Sequence, residues 1–218
     1  MPPGARARAR AETSRAILDE ARRQLAREGA AALSLRSVAR EVGMVSSAVY
    51  RYVASRDELL TRLIVEAYDA IGEAAEGARD DGAGPRAQWR AVWRAVRAWA
   101  HEHPAEYGLI YGTPVPGYAA PTETIPAAGR VGVVLAGIVV AHGDPGAVGG
   151  WPSVVRDDVL PELARPVVVP AVVAWTQLFG TVGFELFGQY ENVVTDRDAY
   201  FDAVADAAAT SVGLPAGR

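Results

Sequence analysis

The sequence predicts an all-α protein: an N-terminal helix-turn-helix head of three helices, joined by a fourth helix to a helical body. Three observations carry that expectation. Leu35, Val38, Ala39 and Val42 recur at i, i+3, i+4 and i+7, one apolar face of a short helix. Gly43 follows at once, and a second short helix over 46–52 begins after Met44 and Val45; a backbone without a Cβ takes the positive φ that so sharp a turn needs. Further on, Trp89, Val92, Trp93, Val96 and Trp99 keep the same helical period.

The elements before the turn follow from caps and breakers. The opening MPPGARARARA carries Arg6, Arg8 and Arg10 without an apolar run, so it is not a signal peptide. It is read as a disordered basic arm over 1–11, which either reaches a minor groove or phosphates or is a solvated tail. Thr13 or Ser14 caps a first helix that buries Ile17, Leu18, Ala21 and Leu25 and ends at Gly29. Ser34 is the expected N-cap of the second helix. Ala39 is small where the second and third helices should cross, so their backbones can approach, and Val49 of the third points inward.

Ser55 and Glu58 form a capping box that starts the fourth helix, with Leu59, Leu60, Leu63, Ile64 and Ala67 inside. The head spans 12–65 and the body 66–218. The turn-rich DDGAGP follows at 80–85. A helix from about Arg86 to Glu102 is broken at His103-Pro104, and a short helix and a Pro- and Gly-rich loop fill 104–126. Helices are then expected over 127–142, 156–163 (a short one) and 166–190. A last helix, capped by Thr195, runs to about Ser211.

Composition limits the chemistry. There is no cysteine, which excludes disulfides, thiolate metal sites and cysteine nucleophiles. There is no lysine either, so guanidinium groups are the only strong phosphate binders. Residues 1–62 hold 12 Arg against 7 acids, a balance of +5. The remaining 10 Arg and 19 acids give −9, within a net charge of −4. A basic head on an acidic body fits a nucleic-acid-binding module. The outer face of the third helix carries Ser46, Ser47, Ala48, Tyr50 and Arg51, groups suited to base edges and phosphates.

The run SLRSVAREVGMVSSAVYRYVASRDELL, 34–60, resembles the DNA-binding head of the TetR family of bacterial repressors. The resemblance implies a double-stranded DNA operator as partner. It implies phosphate contacts from Tyr50 and Tyr52, a basic contact from Arg56 at the start of the fourth helix, and a base or phosphate contact from Arg36. It makes 66–218 a regulatory and dimerisation domain, with the last two helices forming a homodimer through a four-helix bundle. The stretch WTQLFG resembles the Trp-His-Gly signature of one subgroup of TetR C-terminal domains, with Phe179 where that subgroup has histidine.

An effector site is expected among the body's aromatic residues: Trp93, Trp99, Tyr107, Tyr111, Trp175 and Phe179. An aromatic stripe at helical spacing serves a core more often than a pocket; the resemblance adds the expectation of a small hydrophobic effector, since these repressors sense small molecules there. Glu185, inside an apolar helix, is expected to pair with an arginine across the dimer, with a hydrogen bond to the effector as the alternative.

The nineteen residues 166–184 carry no charge. They are interrupted by Pro170, Gly180 and Gly183 and lack a basic flank pattern, so they are not read as a membrane span. No phosphate loop, nucleophile elbow, metal constellation or paired acid and base is found, and no cofactor or enzymatic activity is expected.

The reading is a cytoplasmic, homodimeric, ligand-responsive repressor that binds a palindromic operator. A helical DNA-binding dimer without a ligand, and a small helical enzyme, stand as its alternatives.

Overall fold

A computed structural model describes residues 4–216 of the chain. Those residues form nine α-helices and no strand. They fall into two compact units: one holds the chain up to Tyr68 together with His103–Ile125, the other Asp69–Glu102 and the chain from Pro126 onward. The division lies inside α4 (Arg56–Gly77), and the segment expected to belong to the body, 103–125, groups with the head.

In the first unit α1 spans Ala5–Glu28, so the expected disordered arm is helical from Ala5 on; the first three residues lie outside the described chain. The alternation of alanine and arginine explains the correction, since both are among the strongest helix formers. Thr13 is consequently not a cap: its hydroxyl donates to the Ala9 carbonyl one turn back, at 2.9 Å. Gly29 ends α1 with φ +78°, its N–H bonded to Leu25.

Helices α2 (Leu35–Glu41) and α3 (Ser46–Val49) follow. Gly43 turns the chain between them at φ +73°, and the Met44 N–H reaches back to the Ala39 carbonyl at 2.8 Å. Ser34 occupies the N-cap of α2 without a side-chain cap; instead its N–H donates to Gln24 Oε1. Helix α3 is shorter than expected: it ends at Val49, and 50–52 continue as a turn. Ile17, Ala21, Val38, Ala39, Val49 and Leu59 lie at the centre of the head's core, fully buried.

The capping box of α4 is formed with one shift. The Glu58 N–H donates to Ser55 Oγ at 3.0 Å, while the Glu58 carboxylate accepts from the N–H of Ala54 rather than Ser55. Helix α6 (Pro104–Tyr111) packs on α1. The loop after it adds Tyr118, whose hydroxyl is 2.9 Å from Thr61 Oγ1 on α4.

The second unit is built on α5 (Pro85–Glu102), α7 (Ile125–His142), α8 (Arg165–Leu186) and α9 (Arg197–Ser211). Three of these, α5, α8 and α9, pack on one another. Trp89 and Trp93 are buried from α5, and Trp89 Nε1 donates to the Ala205 carbonyl at 3.0 Å. On its outer side α5 sets arginines against acids of its neighbours: Arg90 on Asp206, Arg94 on Asp202, and Arg97 on Glu185 and Asp198. Glu185, expected to find its arginine across a dimer, thus has one within its own chain.

The last part of α4 meets α7 through Arg130, which bonds Asp69 and Glu76. Gly72 permits that approach: a Cβ there would lie 2.8 Å from the Arg130 side chain.

Three further expectations change. Residues 156–163 form turns, not a helix; Pro161 and the aspartates Asp157 and Asp158 favour local bonds over a helical ladder. The cap of α9 is Asp196, which accepts from the Ala199 N–H at 2.9 Å, and not Thr195. Helix α8 ends at Leu186, and Gly188 has φ +79° in the turn that follows.

Candidate nucleic-acid interface

The candidate interface begins with what holds α3 in place. Val49 is completely buried in the head's core, so the one helical turn it anchors must present its other side outward. Ser46, Ser47, Tyr50 and Arg51 are exposed there, while Ala48 and Tyr52 are half-buried. Val45, just before the helix, is 71% exposed, which makes it one more apolar group beside the two serines. Arg36, on the exposed face of α2, adds a guanidinium. Small hydroxyls, methyl groups and an arginine on one exposed turn, with a second arginine on α2, can read base edges and grip phosphates, with no acid among these positions to repel DNA.

Arg56 sits differently from the expectation. Its Nε–H donates to the Leu33 carbonyl at 3.0 Å, and Nη2 to the carbonyls of Ala30 and Ala31 at 2.9 and 3.2 Å. These carbonyls close the short 3-10 turn Ala30–Ala32 that links α1 to α2. Arg56 is thus a clamp on the head's own backbone.

Glu58 supports the same corner. The Ala54 N–H holds its carboxyl below the usual carboxylate range, against the opposing effect of burial, and Arg62 adds to the lowering.

Sequence reasoning placed one further residue on a disordered arm. Arg10 reaches from the first turns of α1 to the end of the α3 turn, where Nη2 donates to the Arg51 carbonyl at 3.0 Å. Its guanidinium carbon lies 5.2 Å from the centre of the Tyr52 ring. The signal was present in the helix-forming alternation of alanine and arginine, which extends α1 far enough for that reach.

The six residues expected around an effector divide between the two units. In the first, Tyr107 and Tyr111 stack at 5.2 Å, and Tyr68 meets Tyr111 edge-on at 5.8 Å. Burial drives the Tyr111 hydroxyl well above the ordinary tyrosine value. In the second, Trp93 is packed between Trp89 and Phe201 at 5.9 and 5.8 Å, a core position. Trp99 is buried on the same helix, and Trp175 meets Phe179 at 5.4 Å on α8. Among the described residues, no group of three or more His, Asp or Glu is placed to hold a metal ion.

Comparison with known proteins decides the family. Residues 17–63 match the family described as bacterial regulatory proteins, tetR family, and residues 89–208 match the tetracyclin repressor-like C-terminal domain. The chain is 41% identical, over 92% of either chain, to the HTH-type transcriptional regulator Rv1816 of Mycobacterium tuberculosis (strain ATCC 25618 / H37Rv). It belongs to the TetR family. The regulator Mb1846 of Mycobacterium bovis matches equally, at 41% over 92% of either chain.

Among solved structures, a protein described as regulatory, SCO4313, superposes with a TM-score of 0.81 at 32% identity, covering 94% of this chain and 98% of its own. The TetR-family regulator PfmR of Thermus thermophilus shares the fold at a TM-score of 0.60 and 18% identity, covering 92% of this chain and 99% of its own. As a TetR-family member the chain is a DNA-binding transcriptional regulator and not an enzyme.

Proposed function

We propose that this TetR-family regulator is a cytoplasmic, homodimeric repressor that binds a near-palindromic operator through 46–52 and leaves it when a small hydrophobic molecule binds. The observation that carries the DNA half is the exposure of Ser46, Ser47, Tyr50 and Arg51 around a single turn fixed by the buried Val49. In this reading Ser46, Ser47 and Ala48 meet base edges, while Tyr50, Arg51, Tyr52 and Arg36 meet phosphates or nearby bases. Arg56 contributes by holding the backbone behind them.

The dimer half rests on α8 and α9. Thr176, Gly180, Phe184 and Phe187 share one face of α8 or its end, and all are exposed. The opposite face, with Ala174, Leu178, Val182 and Glu185, is buried. On α9, Tyr200, Ala203 and Ala207 are exposed at helical spacing. A second copy of the same two helices would cover these faces as a twofold bundle. By length and composition Thr122–His142, which contains α7, and α8 are each apolar enough to cross a membrane, and each is only partly buried inside the chain. For α8, the reading assigns the uncovered face to the partner subunit rather than to lipid.

Effector binding would act through α4, the helix to which both units contribute. The effector must favour the conformation that does not fit DNA, because equal affinity for both states shifts nothing. Replacing Ser47 by Ala and Arg51 by Ala should each weaken operator binding while the thermal midpoint stays in place; unchanged binding by both variants would refute the assignment of this surface. Thermal-shift screening of hydrophobic compounds tests the effector half, and a compound that raises the midpoint should also lower operator affinity.

A further inference from the structure

Helix α3 is too short to hold itself. It has four residues, and an isolated helix of that length has no stability of its own in water. Beyond Val49 the chain keeps a tight turn through hydrogen bonds from Arg51 to Ala48 and from Tyr52 to Val49, at 3.2 and 2.9 Å. Val49 and Val53 pin the inside of this turn. Its outside edge, at Arg51 and Tyr52, is where an extra tether would fix the angle at which 46–52 meets DNA.

Arg10 supplies two contacts at that edge. One is the hydrogen bond to the Arg51 carbonyl, an end-of-turn acceptor that among the described residues receives no backbone N–H. The other is the approach of the guanidinium to the Tyr52 ring, within the range of a cation–π contact. The fork of an arginine makes both at once, which an ammonium group does less well.

The tether also works in the other direction. The first buried side chain of α1 is Ile17, so Ala5–Arg10 run ahead of the part that the core secures. That end carries Arg6 and Arg8 and no acid in its first turn, an arrangement the helix dipole disfavours.

We propose that Arg10 is a positioning residue for DNA recognition, holding the Arg51 carbonyl and the Tyr52 ring so that the 46–52 turn is presented at a fixed angle. It acts through these residues, not by a phosphate contact of its own. The proposal rests on 46–52 being the DNA-contacting surface, but the clamp itself exists without DNA and is tested there first.

The full-length Arg10→Ala variant is compared with the parent by hydrogen exchange in the absence of DNA. Exchange of the amides of residues 50–53 should accelerate several-fold, while those around Ile17 and Leu59 stay protected. Affinity is then measured over a range of salt for operator and for unrelated DNA. Operator affinity should fall about tenfold, the scale of one charged hydrogen bond with a cation–π contact. Binding to unrelated DNA should fall much less, and the salt slope for the operator should not change. In a Tyr52→Leu background the effect of Arg10→Ala should shrink.

Unaltered exchange at 50–53 overturns the proposal. So does an equal loss on both DNAs with a slope smaller by about one, the signature of a direct phosphate contact. If the surface reading itself were wrong, Arg51→Ala would leave operator affinity intact even though Arg10→Ala loosened the turn.

Discussion

Arg97 on α5 donates two hydrogen bonds to the Glu185 carboxylate on α8, at 2.8 and 2.7 Å, and both side chains are largely out of solvent. The same guanidinium lies 2.7 Å from Asp198 at the start of α9, so one arginine joins three helices of the second unit.

Removing Arg97 should be costly, because the Glu185 carboxylate stays buried with only His101 beside it; removing Glu185 should cost less, because Arg97 keeps the exposed Asp198. Arg97→Ala should lower unfolding free energy by about 3 kcal/mol and Glu185→Ala by less, whereas the double replacement Arg97→Met with Glu185→Leu should cost less than Arg97→Ala alone. Urea unfolding of the four proteins checks this. Equal and additive losses would mean that the two residues act separately.

Acid should remove part of this stability. The Glu185 carboxyl is held below its ordinary range: burial would raise it, but the Arg97 bonds and His101 more than offset that effect. Glu58 is lowered as well, chiefly by the Ala54 N–H. For a carboxyl with a depressed folded-state value, the stabilisation is complete above the unfolded value of about 4.3 and disappears as pH falls through the folded one. The thermal midpoint should therefore hold down to about pH 5 and then drop, and Glu185→Gln together with Glu58→Gln should flatten that drop. Midpoints recorded from neutral to acid pH test it; an acid limb as steep in the double variant as in the parent contradicts it.

Arg56→Ala should act on stability more than on electrostatics. It releases three backbone carbonyls from one guanidinium. Water can reach part of that site, so the loss should be about 1–2 kcal/mol rather than the sum of three bonds. Operator affinity should weaken at temperatures near the midpoint while the salt slope stays that of the parent. A smaller slope at full stability would show that Arg56 meets a phosphate instead.

Phe184 is 54% exposed on α8, on the face that the proposed dimer covers. Phe184→Asp would place a charge into an apolar contact and should shift the protein toward monomer at micromolar concentration, with a loss on the few-kcal/mol scale of a buried unpaired charge. Light scattering on parent and variant decides it. A parent that is already monomeric refutes the assembly.

What the sequence made legible was local. The i, i+3, i+4 pattern from Leu35 and the glycine at 43 specify the helix-turn-helix through neighbours on the chain, and the structure has that turn at φ +73°. Helix periods in α5, α7 and α8 were readable for the same reason. Interactions between distant residues were not. Nothing near Glu185 in sequence points to Arg97, and an acid alone in an apolar helix is compatible with a partner in either subunit. Arg56 looked like a surface cation in a first helical turn because the carbonyls it binds are more than twenty residues earlier. The segment 104–126 reads as a short helix and a loop of the body, yet Tyr107, Leu109 and Tyr118 pack within the head's unit. Arg10 was lost to an arm whose composition looks disordered when its charge is weighed ahead of its helix propensity.

The most direct test of the account is binding-site selection from random DNA with the full-length protein, followed by footprinting on the selected sequence. A twofold dimer presenting two copies of 46–52 should return a near-palindrome whose half-sites are centred about one helical turn apart, roughly 34–36 Å, both protected. A single asymmetric site, or a selected motif that Arg51→Ala binds as tightly as the parent does, would contradict it.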